Sequence, residues 1–452
     1  MSLVEFLYEH IEELDGRVSE LERQSKANSR NSSKPPSSDG LKRKLKQTRK
    51  RSGKRPGGQP GHEGTTLEMS ATPHHQVIHT AEQCGGCGAS IVDRPVVGYE
   101  RRQVFDIPPV KVEVTEHAAE IKVCSCGAHT TAPFPDGVTH RTQYGKQVKA
   151  IVTYLKHFQL LPYERLTGLL EDLFGLSLSS GTLCRISEEA SGLLVETTDR
   201  IREAIRRSAV LHCDETGMRI GKLLHWLHVA ATDTLTWYLP HRKRGVAAID
   251  EMGILAGFTG TSVHDGWASY FTYEIAHGLC NAHHLRELTF VEEEYGRPWA
   301  KEMIELLLEI KERRDRSTST RFSQGTIKTY LARYRAIIES GLELNPSPEP
   351  TGKRGRVKKS KPLNLLERLR DHERAVLAFM YDFSVPFTNN QAELDLRMMK
   401  VQQKISGAFR SMEGAKAFCV IRSYISTVRK QGMNVIESLQ DAFARKPLLT
   451  NI

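Results

Sequence analysis

The stretch Val210-Leu-His-Cys-Asp-Glu-Thr-Gly-Met-Arg-Ile220 constrains this chain more than any other. The apolar residues 209–213 read as a short strand that ends on a carboxylate, Asp214, followed by a turn containing Gly217. An acid at the end of a central strand is held rigidly at the rim of a sheet, where it can hold a hard divalent cation. An aspartate that merely caps a turn has the same local appearance, so the choice rests on the residues downstream.

Residues 209–214, 223–231 and 235–239 predict three strands joined by turns at 217–222 and 232–234. A helix is expected over 244–255, then within 259–267 a second strand that again ends on an acid, Asp265. After room for a short helix, a strand near 277–280 leads into a helix over 281–294. Three strands, helix, strand, helix, strand is the order of the ribonuclease-H-like α/β fold, whose first and fourth strands lie side by side. Asp214 and Asp265 are therefore expected close together. Helices over 299–313, 323–339 and 363–379 read as a helical insertion spanning about 297–380, with a basic loop at 352–361.

Beyond the insertion, Pro386-Phe-Thr-Asn-Asn-Gln-Ala-Glu-Leu-Asp-Leu-Arg-Met-Met-Lys400 opens a helix. Its start fits a capping box either from Thr388 with Gln391 or from Asn390 with Glu393. On a 3.6-residue period Glu393, Arg397, Lys400 and Lys404 share one face, and Leu394, Met398, Val401 and Ile405 share another. The helix thus offers a third carboxylate near its start and a row of cations that could track phosphates. Phosphodiester cleavage and strand transfer need just such oxygen donors: two Mg²⁺ ions (or Mn²⁺) activate the attacking oxygen and stabilise the leaving one. Asp214 and Asp265 are expected to hold the metals, with Glu393 completing the second site. Glu215 is expected on the opposite side of the strand from Asp214.

The N-terminal third is organised differently. In residues 1–26, Val4, Leu7, Ile11, Leu14, Val18 and Leu21 keep an unbroken alternation of three and four, with β-branched residues at a and leucine at d. That combination favours a parallel two-stranded coiled coil, hence a homodimer. Residues 27–73 have the Ser, Asn, Pro and Gly content of a linker, and between Gly40 and His62 there are nine basic residues and no acid. Within it Arg43, Lys46, Arg49, Arg51, Lys54 and Arg55 are candidate phosphate contacts, in keeping with 64 Lys and Arg against 54 Asp and Glu over the chain. Four of the eight cysteines fall in close pairs, Cys84-x-x-Cys87 and Cys124-x-Cys126, with residues 104–123 reading as alternating strands between them. Paired thiolates across a hairpin are a zinc-ribbon arrangement, expected over 74–136 with structural Zn²⁺. The second pair is one residue short, which leaves His117 or His129 open as a ligand. Residues 137–207 read as helical, with helices over 144–160, 162–174 and 181–194; a helix-turn-helix whose second helix starts near Ser180 and a plain bundle both fit. No run of about 18 apolar residues occurs and Glu5 and Glu9 stand where a secretion signal would be basic, so a cytoplasmic protein without a membrane partner is expected.

Several phrases resemble hallmarks of the insertion-sequence-66 family of bacterial transposases. They are Asn28 to Gly40 with its core Asn-Ser-Ser-Lys-Pro-Pro-Ser-Ser-Asp, Lys54 to Gly64, the cysteine pairs, Asp214-Glu-Thr-Gly217, Asn389 to Arg397, and Lys404-Ile-Ser-Gly-Ala-Phe-Arg410. The resemblance covers almost the whole chain, from the coiled coil to a C-terminal helical region at 411–452. It implies a DDE triad, which falls motif by motif on Asp214, Asp265 and Glu393 within a catalytic domain over 208–410. It further implies a zinc-binding domain that contacts DNA, recognition of the terminal inverted repeats of an insertion sequence, and a bacterial, nucleoid-associated setting with accessory proteins of the same element. The short second cysteine pair, Met218 and Gln403 depart from the family's pattern. A transposon-derived DNA-binding protein without catalysis, or a nuclease that cuts without joining, are the alternative functions. Two further features carry double readings. Cys280-Asn-Ala-His283-His284-Leu-Arg286 could ligate a metal, or form a strand-to-helix junction with His283 or Arg286 against DNA; Trp267 and Tyr270 could stack bases, or fill the core.

Overall fold

The computed structural model describes residues 3–28, 30–32, 66–348, 357 and 359–447. The basic run holding Arg43, Lys46, Arg49, Arg51, Lys54 and Arg55, and most of the loop at 352–361, lie outside the described residues.

The chain opens on helix α1 (Leu3–Ser25). Its seam residues Leu7, Ile11, Leu14, Val18 and Leu21 are between 45% and 63% exposed, so within one chain they cover nothing. From 66 to 136 the backbone is largely irregular. The one ladder is β1 (Ile121–Val123) against β2 (His129–Thr131), antiparallel with Val123 opposite His129. The alternation expected to make strands over 104–123 therefore forms a strand only in its last three residues. Val104, Ile107, Val110 and Val114 are exposed, with no second layer to pack on.

Helices α2 (Lys146–Thr153), extended by a π-helical turn over Tyr154–Phe158, α3 (Tyr163–Phe174) and α4 (Ser180–Arg206) come next. Gly175 ends α3 in the left-handed region, and Ser179 caps α4 by accepting the Thr182 N–H. Helix α4 is longer than its sequence suggests: it runs on past residue 194, and Ile201 and Ile205 in its second half cover the sheet.

That sheet has the order β5-β4-β3-β6-β7, from β3 (Val210–Ile220), β4 (Leu223–Ala231), β5 (Thr236–His241), β6 (Thr261–His264) and β7 (Ala276–Leu279). β3, β4 and β5 form an antiparallel meander, while β6 runs parallel to β3 and β7 parallel to β6. Strand β3 does not stop at Asp214. It continues to Ile220, and Gly217 lies inside it, because β4 pairs with it along its whole length whereas β6 pairs only as far as His212↔Val263. Asp214 thus sits where β3 loses one neighbour, and the turn falls later, at Gly221 with φ 57°. Helix α5 (Val246–Met252) carries the chain from β5 to β6. At Gly260, entering β6, a Cβ would stand 2.4 Å from the Ala209 carbonyl oxygen, so only glycine allows the close approach of the two strands.

Helices α6 (Asn281–Tyr295), α7 (Pro298–Asp315), α8 (Gln324–Glu343), α9 (Lys361–Asp371), α10 (Glu373–Val376) and α11 (Ala378–Tyr381) pack around Trp299, Met303, Leu307, Tyr334, Leu366 and Phe379. The single helix expected over 363–379 is three pieces. Helices α12 (Asn390–Ile405), α13 (Met412–Lys430) and α14 (Val435–Phe443) complete the chain. One face of the sheet, with Leu211 and Cys213, packs on α4 and α5; the other, with Met218, Leu227 and Val229, packs on α12 and α13. Tyr424 and Ile425 of α13 share a core with Ala190 and Leu194 of α4, so the helices before and after the sheet close on each other.

Candidate active site

Alternation along β3 sends Asp214 to the α12 face and Glu215 to the face that holds Tyr270. Glu215 is buried there, accepting hydrogen bonds from the Tyr270 hydroxyl at 2.6 Å and the Arg244 guanidinium at 2.7 Å. Burial pushes the Asp214 carboxyl well above the usual carboxylate range; the neighbouring charges of Glu215, Asp265 and Glu393 push the same way, against one hydrogen bond from the Glu215 N–H. Burial raises Glu215 as well, opposed by Tyr270 and Arg244.

Asp265 is the first residue beyond β6. Its carboxylate accepts the Trp267 N–H at 2.9 Å and stands 4.0 Å from the Arg244 guanidinium. Arg244 in turn lies 4.0 Å over the Trp267 ring and 5.0 Å over that of Trp226, which fixes a cation between Glu215 and Asp265. Nothing in the sequence marks Arg244, because its partners meet it only in the folded sheet. Tyr270 is core, 2% exposed, whereas Trp267 is 39% exposed beside Asp265.

Glu393 occupies the first turn of α12. Neither expected capping box forms. The residue before the helix is Asn389, and its side chain is spent on β3: Oδ1 accepts from His212 Nδ1 at 2.8 Å and Nδ2 donates to the Cys213 carbonyl at 2.8 Å. Its backbone N–H donates to Cys280 Sγ at 3.1 Å. A buried amide satisfied on two sides by the sheet outweighs a cap at the helix end. Glu393 is thereby anchored beside the strand that carries Asp214. Its Oε1 is buried without a hydrogen-bond partner, and so is Nδ1 of His283.

Asp214, Asp265 and Glu393 are thus electrostatic neighbours drawn from β3, the end of β6 and α12. They do not close into a set with all oxygens within 4.8 Å. Among the described residues, the group that does is Cys280, His283 and Glu393. A half-buried acid facing like charges and an orphaned carboxylate oxygen nevertheless fit a hard dication, which would neutralise both.

Arg397, Lys400 and Lys404 are exposed on α12 beyond Glu393, as the period predicts. The apolar face predicted beside them is corrected: Leu394, Val401 and Ile405 are exposed, and of those four only Met398 is buried. Ala392, Leu396 and Met399 face the sheet instead. Arg286 is half-buried on α6. Two residues that depart from the expected pattern serve packing. Met218 is fully buried, and Gln403 donates to the Gly217 carbonyl at 2.9 Å.

The cysteine pairs form two turns of the same kind. The Cys84 N–H donates to Ala89 and the Gly88 N–H to Cys84; likewise the Cys124 N–H donates to Ala128 and the Gly127 N–H to Cys124. The second turn omits one residue yet keeps both bonds. Backbone hydrogen bonds from Cys87 to Cys84, and from Cys126 to Cys124, lower the two thiols' pKa, which favours the thiolate that zinc requires. The four sulfurs are not gathered in one tight group in this structure.

The structure therefore defines a mixed α/β protein with thiol knuckles ahead of a sheet that carries a cluster of acids. Residues 141–417, more than half of the chain, match the Transposase IS66 family, and the chain belongs to that family. Residues 81–127, spanning all four cysteines, match the zinc-finger binding domain of transposase IS66, and residues 2–68 match a family of unknown function. The chain is 22% identical to the Uncharacterized protein y4hP of Sinorhizobium fredii, with 82% of this chain and 71% of that protein covered. No helix among the described residues is long and apolar enough to cross a membrane.

Proposed function

We propose that this protein is a DNA transposase of the DDE type, with a ribonuclease-H-like core, that binds the terminal inverted repeats of its insertion sequence and cuts and joins DNA there. The observation that carries this reading is the neighbourhood of Asp214, Asp265 and Glu393: one acid on β3, one just past the end of the parallel strand β6 beside it, and a third on a helix pinned to β3 by Asn389. The strand order with three antiparallel strands followed by two parallel ones supports the core assignment. Asp214 and Asp265 would hold divalent cations, Mg²⁺ or Mn²⁺, with Glu393 completing the set. Such ions supply activation of the attacking oxygen and charge neutralisation at phosphorus. The chain's own residues do the rest. Arg244 sets a cation beside Asp265 at 4.0 Å, and Arg397, Lys400 and Lys404 offer a row of cations to successive phosphates. The zinc domain and the helices over 137–207 would read the ends, the basic run at 42–55 would add affinity that is not sequence-specific, and α1 would pair two copies. Accessory proteins of the same element would complete the assembly on the nucleoid.

The test is incubation with labelled DNA carrying the ends of the parent element, with Mg²⁺ and then with EDTA, resolved on a sequencing gel. Nicks at the element boundary that need the metal are expected, and their absence in Glu393→Gln. A clear gel shift with no nick, persisting when the element's other products are added, would leave a DNA-binding protein without catalysis.

A further inference from the structure

We propose that Cys280, His283 and Glu393 form a binding site for one thiophilic divalent transition-metal ion, zinc being the reference, distinct from the knuckle cysteines. Cys280 follows β7 directly and precedes α6, and His283 lies three residues on, so thiol and imidazole share one side of the first turn. Glu393 approaches from α12. The same contact that anchors α12, Asn389 N–H to Cys280 Sγ, holds the three side chains in register. Their ligand atoms lie within 4.8 Å of one another. Two of the three groups carry buried polar atoms that nothing satisfies, His283 Nδ1 and Glu393 Oε1. Orphaned buried atoms on two of three residues whose ligand atoms lie this close are what an ion would satisfy.

The donor set fixes the kind of ion. One sulfur, one nitrogen and one oxygen suit zinc or cobalt, with a fourth position left for water, whereas Mg²⁺ takes oxygen alone. Binding breaks the Cys280 S–H bond, releases its proton to solvent and forms the sulfur–metal bond, so affinity falls as pH falls. One consequence rests on the proposed catalytic role of the three acids. An oxygen of Glu393 bound to this ion is drawn away from the Asp214–Asp265 pair, so zinc bound here competes for the third carboxylate and inhibits cleavage.

The experiment measures zinc bound per full-length chain at increasing free zinc, by equilibrium dialysis and atomic absorption, for the wild type and for Cys280→Ser. The wild type is expected to hold one ion more than the variant, or to hold it about 10- to 100-fold more tightly. His283→Asn serves as a second variant should Cys280→Ser fail to fold. Identical zinc uptake by wild type and both variants would overturn the site. A parallel Mg²⁺-driven cleavage assay reads the consequence: added zinc should suppress the wild type while sparing Cys280→Ser relative to its own zinc-free rate. A zinc difference without inhibition would keep the site and remove the sharing of Glu393; no cleavage under any condition, with the zinc difference intact, would count against the transposase reading alone.

Discussion

At the scale of residues, Asp214 is a half-buried carboxyl among other acids, and that partial burial with the neighbouring charges pushes its pKa well above the usual carboxylate range. Its folded-state pKa lies above the unfolded one, so without metal the folded state binds the extra proton. Stability is then fully present below the ordinary carboxylate range, near about 4, and is lost as pH rises through the raised value. Asp214→Asn removes the charge at nearly constant shape. It is expected to raise the metal-free melting temperature at neutral pH by a few degrees and to flatten that acidic-side slope, while abolishing the rise that millimolar Mg²⁺ gives the wild type. Thermal melts from pH 4 to 8, with and without Mg²⁺, check all three. The positions of Asp214 and Asp265 after apolar runs were legible in the sequence, since an acid after an apolar run needs no knowledge of partners. Arg244 and Asn389 were not, because what they touch lies 29 and 177 positions away and no local period encodes that.

At the scale of elements, the expected strand after Ala209 was legible and its length was not. The sequence suggests a turn at Gly217, but a full-length antiparallel partner in β4 carries the strand through the glycine to Ile220. Helix α12 shows the same limit. Its existence followed from the period, while its buried stripe, Ala392, Leu396 and Met399, is decided by which side the sheet occupies. Asn389 is the joint between these two elements. Replacing it by alanine leaves His212 Nδ1 and the Cys213 carbonyl without their partner, at a cost of about 1–3 kcal/mol. Asn389→Ala is accordingly expected to shift the urea midpoint down by that amount and to slow cleavage through a displaced Glu393, with end binding unchanged. A variant that loses stability but cleaves at the wild-type rate would show that the joint does not position Glu393.

At the scale of the whole molecule, α1 exposes an apolar seam yet is fastened to the body at its far end. The Tyr295 hydroxyl donates to Glu20 at 2.8 Å, Lys26 pairs with Glu294 at 3.0 Å, and Arg30 pairs with Glu293. The seam is therefore exposed on a helix tied to α6 at its far end, and the proposed pairing of two copies would cover it. Leu14→Lys with Leu21→Lys places charges in that seam and is expected to give monomers by sedimentation, with the thermal transition of the body unmoved. An unchanged dimer would assign self-association to another surface.

Across all three scales the proposed role of the three acids is to act together in chemistry and not in binding. The direct measurement is single-turnover cleavage of element-end DNA by Asp214→Asn in Mg²⁺, with end affinity measured on the same preparation. Cleavage is expected to fall by about a thousandfold or more with affinity nearly unchanged. Cleavage at the wild-type rate, or a loss of binding equal to the loss of cleavage, would contradict it.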